Sequence, residues 1–329
     1  MQKIRLGIVG YGNIGRGVAQ AVRMNDDMEL VGIFSRRDPA SVKLDAADVG
    51  TPVYAAADAE KFQDDIDVMI LCGGSATDLP EQGPAYAKLF NTVDSFDTHA
   101  KIPEYFPKVD AAAKEAGHLS LISCGWDPGL FSMMRILSGA CLPQGEVYTF
   151  WGDGVSQGHS DAIRRVPGVR HAVQYTRPYP EALDAVRTGD CPNLTTRQKH
   201  YRECFVVAED GADTDAIEQA IVTMPNYFDE YNTIVHFITM EELLRDHGTM
   251  PHGGFVFRSG KTDENNKAIV EFSLKLDSNP QFTASVLVTF ARAVYRMAKE
   301  GNTGAVSVFD IPLRYLCTLS YEEQRAKLL

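Results

Sequence analysis

The chain has 329 residues, 44% hydrophobic and 23% charged, with 44 acidic side chains against 32 basic ones and a formal net charge of −12. That length suits about two globular domains, and the acidic balance argues against nucleic acid or an anionic membrane surface as a partner, because both need clustered Lys and Arg. No run approaches the roughly 18 consecutive apolar residues of a membrane span, and no apolar signal core is present at the N-terminus, so a cytoplasmic protein is expected.

Lys3 to Val9 reads as a short apolar strand, followed at once by Gly10-Tyr11-Gly12-Asn13-Ile14-Gly15 and a helix through Val22. Strand, G-x-G-x-x-G, helix is the order a dinucleotide pyrophosphate needs: Gly10 for the tight turn, Gly12 for close backbone approach and Gly15 for helix–strand packing. The phosphates would rest on the helix N-terminus. A second strand, Glu29 to Phe34, ends in Ser35-Arg36-Arg37, where an acidic residue would bind a ribose 2′-hydroxyl. A hydroxyl and two guanidiniums suit a 2′-phosphate instead, so the expected cofactor is NADP.

Asp67 to Cys72 reads as a third buried parallel strand, and the small residues Gly73-Gly74-Ser75-Ala76-Thr77 after it form a second expected cofactor contact. A helix around Ala85 to Phe90 leads to a strand over Asn91 to Asp97. A helix over Pro103 to Ala116, punctuated by Pro and by Gly117, leads to a strand over Leu119 to Ser123. The loop Cys124-Gly125-Trp126-Asp127-Pro128-Gly129 is too rich in special residues for a spacer. Alternating strand and helix imply an α/β fold with a Rossmann-type, doubly wound parallel sheet.

Near Gly145 the texture changes to strand-like runs with fewer helices: Val147 to Trp151, Arg202 to Ala208, Ile234 to Ile238 and Ala268 to Leu276. These predict an α+β second domain on a mixed or antiparallel sheet. Gly152 to Asp161 and Met250 to Gly254 read as loops between them, and Pro280 to Lys299 as a long helix with Phe282, Val286, Phe290 and Val294 on one buried face. The expected division is an NADP-binding domain over 1–125 and a second domain over 126–279, with 280–329 packing back on the first.

Catalytic groups should sit on loops at the carboxyl ends of the strands. Asp97 and Asp127 meet that requirement, and two carboxylates there could hold a substrate ammonium group and take its proton. Among the arginines of the second domain, Arg202 stands out because it opens the apolar run Phe205 to Ala208, which would place it inside the sheet. His247 and His252 are separated by Gly248 and Pro251, which breaks metalloprotease geometry, and no G-x-S-x-G elbow is present, so neither metal catalysis nor a serine hydrolase is expected. The six cysteines, Cys72, Cys124, Cys141, Cys191, Cys204 and Cys317, form no C-x-x-C pair, which suits reduced thiols.

Taken with Gly73-Gly74-Ser75-Ala76-Thr77-Asp78 and Thr92-Val93-Asp94-Ser95-Phe96-Asp97, the segments Gly125 to Gly129, Ser156-Gln157-Gly158-His159-Ser160-Asp161, Met250 to Gly254 and Lys275-Leu276-Asp277-Ser278-Asn279-Pro280 closely resemble the meso-diaminopimelate D-dehydrogenases, from about Ile4 to Thr303. The resemblance implies reversible NADP-dependent oxidative deamination of the D-centre of meso-2,6-diaminopimelate, giving L-2-amino-6-oxopimelate (tetrahydrodipicolinate), ammonia and NADPH in bacterial lysine and diaminopimelate biosynthesis. It implies that Asp97, Asp127 and Trp151 hold the reacting D-end, that Thr176, Arg202, His252 and Asn279 hold the L-end, and that Gln157 and Gly158 close over the ligand. The implied cofactor set is Gly10, Tyr11, Gly12, Asn13, Ile14, Gly15, Ser35, Arg36, Arg37, Cys72, Gly73, Gly74, Ser75, Ala76, Thr77, Ser95, Phe96, Asp97, Cys124, Gly125, Trp126, Asp127 and Pro128. A homodimer built through the second domain is implied as well. Phe96 departs mildly from the pattern, since a tyrosine is at least as common there. Which aspartate is the base stays open, and so do two other classes: another NADP oxidoreductase of the aspartate pathway, and a non-catalytic NADP-sensing regulator.

Overall fold

The computed structural model describes residues 3–329. The chain forms two compact units, one running to Met133 and including Pro280–Leu329, the other spanning Met134–Asn279. Strand and helix alternate at first, save that only short 3-10 turns join β2 to β3 and β3 to β4: β1 (Ile4–Val9), α1 (Asn13–Arg23), β2 (Met28–Ser35), β3 (Val53–Ala55), β4 (Val68–Leu71), α2 (Leu79–Ala87), β5 (Thr92–Asp94), α3 (Ile102–Ala116), β6 (Leu119–Leu121) and α4 (Leu130–Cys141). Strands then dominate: β7 (Gln144–Trp151), β8 (Gly154–Val155), α5 (Gln157–Arg164), β9 (Val169–Pro178), α6 (Pro180–Arg187), α7 (Thr196–Lys199), β10 (His200–Ala208), α8 (Thr214–Val222), β11 (Asn232–Phe237), α9 (Met240–Asp246), β12 (His252–Lys261) and β13 (Lys267–Leu276). The chain closes with α10 (Asn279–Lys299), β14 (Gly304–Val306) and α11 (Tyr321–Leu328).

The first unit is a seven-stranded sheet in the order β14-β6-β5-β4-β1-β2-β3, with every pairing parallel. Its strands are mostly apolar because both faces are covered. On one face Leu6 and Ile8 pack with Val18 and Val22 of α1 and Leu287, Phe290 and Val294 of α10. On the other, Val9, Met69 and Leu71 pack with Leu79 and Tyr86 of α2 and Tyr105 and Val109 of α3. Arg292 of α10 is buried and pairs bidentately with Asp27 at 2.6 and 2.8 Å, while donating to the Leu316 carbonyl at 3.0 Å. One guanidinium therefore ties the long helix to the turn before β2 and to the chain after Asp310, whose Ile311 and Tyr315 join the same core.

The second unit carries a mixed sheet, β11-β10-β9-β8, and an antiparallel one, β13-β12-β7. Three local expectations need correction. Residues 152–161 are not a plain loop, since β8 and α5 occupy most of them. His252, Gly253 and Gly254 begin β12, where side chains at the two glycines would collide with the Leu274 and Phe150 carbonyls of the flanking strands. Glycine there marks a crowded strand, not a turn. Helix α2 starts at Leu79 rather than near Ala85, because Pro80 fits its first turn. The central strand β9 has no counterpart among the strand-like runs.

Candidate active site

In the first unit the glycine fingerprint spans the exit of β1 and the start of α1. A side chain at Gly15 would strike the Gly10 carbonyl oxygen, so the helix can approach the turn only with glycine there. At Gly12 an added Cβ meets nothing within 4 Å, and no side chain caps α1. This is an open cradle at a helix N-terminus, suited to a pyrophosphate. Tyr11, Gly15, Phe96, Cys124, Gly125 and Trp126 are buried, whereas Gly12 and Asn13 are exposed and Ile14 is half-buried. The buried Phe96 ring stacks on Tyr105 at 4.2 Å, so the mild departure lies in a core contact and any cofactor contact at this position would be made by backbone.

At the end of β2, the buried Ser35 hydroxyl accepts the Arg37 N–H at 3.1 Å, which folds the chain so that Arg36 and Arg37 are exposed. Arg36 pairs with Asp78 at 2.7 Å, and the other oxygen of Asp78 accepts the Gly74 N–H at 2.9 Å. The two expected cofactor loops are thus linked through one carboxylate. Two guanidiniums and a hydroxyl at a strand end fit a phosphate monoester.

Asp97 is exposed and Asp127 half-buried, on the loops after β5 and β6. The Ser75 hydroxyl accepts the N–H groups of Asp97 and Thr98 at 2.8 and 3.1 Å, joining the 73–77 loop to the carboxylate loop. Ala76 and Thr77 are exposed beside it, and Ser95 is half-buried. Loop 124–129 is closed by bridges between Gly125 and Gly129 and by a Trp126–Phe131 edge contact at 5.2 Å, with a cis peptide between Asp127 and Pro128. Burial pushes the Cys72 and Cys124 thiols up, away from thiolate chemistry.

In the second unit, Thr176 and Arg202 stand opposite each other on β9 and β10, and the guanidinium donates to the Thr176 hydroxyl. Arg202 is only 7% exposed, its Nε has no partner, and among the described residues no carboxylate pairs with it. Its guanidinium instead lies over the Tyr231 ring at 3.8 Å. Burial pushes His159 down to about 4 and His200 down to about 3, with the Arg202 charge adding to both, so both rings are neutral at physiological pH. Gly154 pairs with Thr176 across the sheet and lies against the His252 ring, while the Asn279 N–H donates to the Met250 carbonyl at 2.9 Å. Trp151 pairs with Gly254, is exposed at the end of β7, and donates its backbone N–H to His200 Nε2 at 2.9 Å. Ser156 caps α5 through the His159 N–H, leaving Gln157 and Gly158 exposed on its first turn.

Of the expected second-unit residues, Thr176 and Arg202 are thus in direct contact, and Gly154 joins Thr176 to the His252 ring. Asp78, His200 and Tyr231 were missed, and no spacing in the sequence marks them, because each acts across strands or loops that only the fold brings together.

Residues 4–92 match the oxidoreductase family with an NAD-binding Rossmann fold, and residues 125–278 match the diaminopimelic acid dehydrogenase C-terminal domain. Meso-diaminopimelate D-dehydrogenase of Lysinibacillus sphaericus is 62% identical over 100% of both chains. A meso-diaminopimelate dehydrogenase of Clostridium tetani, substituted at six positions and solved with DAP, superposes with a TM-score of 0.94 at 55% identity, covering 99% of this chain and 100% of that one. The six changed residues are a glutamine, a threonine, an arginine, a proline, a histidine and an asparagine. An engineered D-amino acid dehydrogenase bound to NADP+ superposes with a TM-score of 0.86 at 45% identity over 100% of both chains. This chain belongs to the meso-diaminopimelate D-dehydrogenase family.

Proposed function

We propose that the protein catalyses the reversible NADP-dependent oxidative deamination of meso-2,6-diaminopimelate at its D-centre, giving L-2-amino-6-oxopimelate, ammonia and NADPH, in diaminopimelate and lysine biosynthesis. The observation that carries the residue assignment is the buried Arg202 guanidinium without a carboxylate. A buried cation is retained at a cost to stability unless a ligand supplies the counter-charge, and the substrate's distant L-carboxylate has that chemistry. The six residues changed in the Clostridium tetani protein are spaced as Gln157, Thr176, Arg202, Pro251, His252 and Asn279 are here, which supports the same assignment.

Thr176, Arg202, His252 and Asn279 hold the L-end, with Gln157 and Gly158 closing over it. Asp97, Asp127 and Trp151 hold the D-end. The phosphates of NADP rest on Gly10 to Gly15, its 2′-phosphate on Ser35, Arg36 and Arg37, and the rest of the molecule on Cys72 to Thr77, Ser95 to Asp97 and Cys124 to Pro128. When bound, NADP+ supplies the acceptor for the hydride of the D-carbon. An ammonium group has no lone pair to expel hydride, so one of the two aspartates takes its proton, directly or through water. The resulting imine adds water and releases ammonia. Anchoring the L-end decides which hydrogen is presented and therefore which stereocentre reacts.

The working form is a cytoplasmic homodimer built through the second unit. Val147 and Val270, in register on either side of Arg258, lie exposed on one face of the antiparallel sheet, which supports that surface, and among the described residues no helix is long and apolar enough to cross a membrane. The direct test is nicotinamide absorbance with NADP and meso-, LL- or DD-diaminopimelate at alkaline pH. Turnover of the meso form and none of the LL form is expected. No NADPH from the meso form would overturn the reading.

A further inference from the structure

Asp94, the last residue of β5, carries a carboxylate only 1% exposed. Its Oδ1 accepts two backbone N–H groups, from Phe96 at 2.9 Å and from Ser123 at 3.0 Å, and its Oδ2 accepts the Tyr105 hydroxyl at 2.7 Å. Its own carbonyl accepts the Cys124 N–H at 2.8 Å. Phe96 adjoins Asp97, and Ser123 and Cys124 lead into the loop that carries Asp127. Ser123 has φ +56, a left-handed conformation that is costly for a residue with a Cβ, and the Asp94 bond lies at that residue's own N–H. The Tyr105 donor is itself placed deliberately: its hydroxyl sits against Gly83 of α2, where any side chain would displace it. Burial raises the Asp94 carboxyl above its usual range, against the pull of the three hydrogen bonds. None of these bonds is needed for the strand itself, because β5 is already paired on both sides.

We propose that Asp94 is a positioning residue whose single Oδ1 atom, by accepting one N–H from each loop, fixes the loop of Asp97 and the loop of Asp127 in a common frame. The proposal rests on the reading of Asp97 and Asp127 as the groups that hold the reacting amine. One acceptor shared by two loops couples them, so its loss frees both carboxylates together. The shift required is small, since a misplacement of about 1 Å at a reacting centre is enough for a loss of about 100-fold.

The test uses the full chain with Asp94→Ala, Asp94→Asn and Asp94→Ser. In Asp94→Ala, kcat falls about 100-fold, and the deuterium isotope effect on kcat at the D-carbon rises as hydride transfer becomes limiting. Asp94→Asn keeps an amide oxygen for both N–H groups and restores kcat to within about tenfold of the parent. Should Asp94→Ala fail to fold, Asp94→Ser, too short to bridge both loops, shows the same kcat loss and isotope effect. An alanine or serine variant that turns over within about threefold of the parent, measured well below its Tm, overturns the proposal, as does an asparagine variant no better than alanine. Asp97→Asn and Asp127→Asn separate the two readings. If they retain turnover the site reading fails; if they lose it while Asp94→Ala and Asp94→Ser do not, only the Asp94 proposal fails.

Discussion

In the first unit the candidate residues lie on loops that leave successive parallel strands at the same end of one sheet, and backbone groups do most of the shaping: the open cradle at Gly12, the Asp97 N–H on Ser75, the Phe96 and Ser123 N–H groups on Asp94. In the second unit the corresponding candidates are side chains carried by β7, β9, β10, β12 and the start of α10, and one of them, Arg202, is a buried cation. The difference teaches where specificity can be placed. Parallel strands deliver short loops whose backbone suits a cofactor common to many reactions. Side chains gathered across neighbouring strands can be varied one by one to fit a particular substrate.

The largest expected effect tests the chemical half of this contrast. Asp127→Asn should lower kcat by about 10²- to 10⁴-fold, as steady-state rates would reveal. A variant that keeps its rate removes Asp127 from the chemistry. For the second unit, Arg202→Met should raise the KM for meso-diaminopimelate about 10- to 100-fold, the worth of a charge-assisted hydrogen-bonded pair. Its Tm should hold or rise, because the variant no longer buries an unpaired charge. A fall in Tm with KM unchanged would make Arg202 structural.

A smaller effect is expected at the cofactor's edge. Changing Arg36 and Arg37 together to alanine should weaken NADPH about tenfold or more and leave NADH nearly unaffected, read as paired Kd values. Equal losses would refute the 2′-phosphate assignment. The smallest effect concerns pH. His159 and His200 titrate near 6.5 in the unfolded chain but only near 4 and 3 when folded, so the unfolded state binds more protons between those values and stability falls as pH drops from about 6.5 towards 4. Asp27, held below its usual range by Arg292, loses its share only at lower pH. Tm should fall by about 5 °C or more across that window, and His200→Gln should flatten the dependence. The charges facing these rings are Arg202 and, for His200, Lys199. An unchanged slope would mean that burial of these rings does not set the acid limit.

The fingerprint, the arginines after β2 and the loops of Asp97 and Asp127 were legible because in a parallel α/β sheet position along the sequence translates directly into position at the strand ends. Gly253 and Gly254 misled for the opposite reason, since glycine signals a turn and a crowded strand alike, and only the carbonyls of β7 and β13 distinguish them.

By itself the sequence determined the cofactor platform, its preference for a 2′-phosphate and, through motif resemblance, the reaction. Only the tertiary structure decided that the buried Arg202 lacks a carboxylate among the described residues, that Tyr231 lies beneath it and that Asp94 ties two loops together. The deciding contacts join Thr176 to Arg202, 26 positions apart, and Asp94 to Ser123, 29 apart, and local propensity and periodicity carry no record of such pairings.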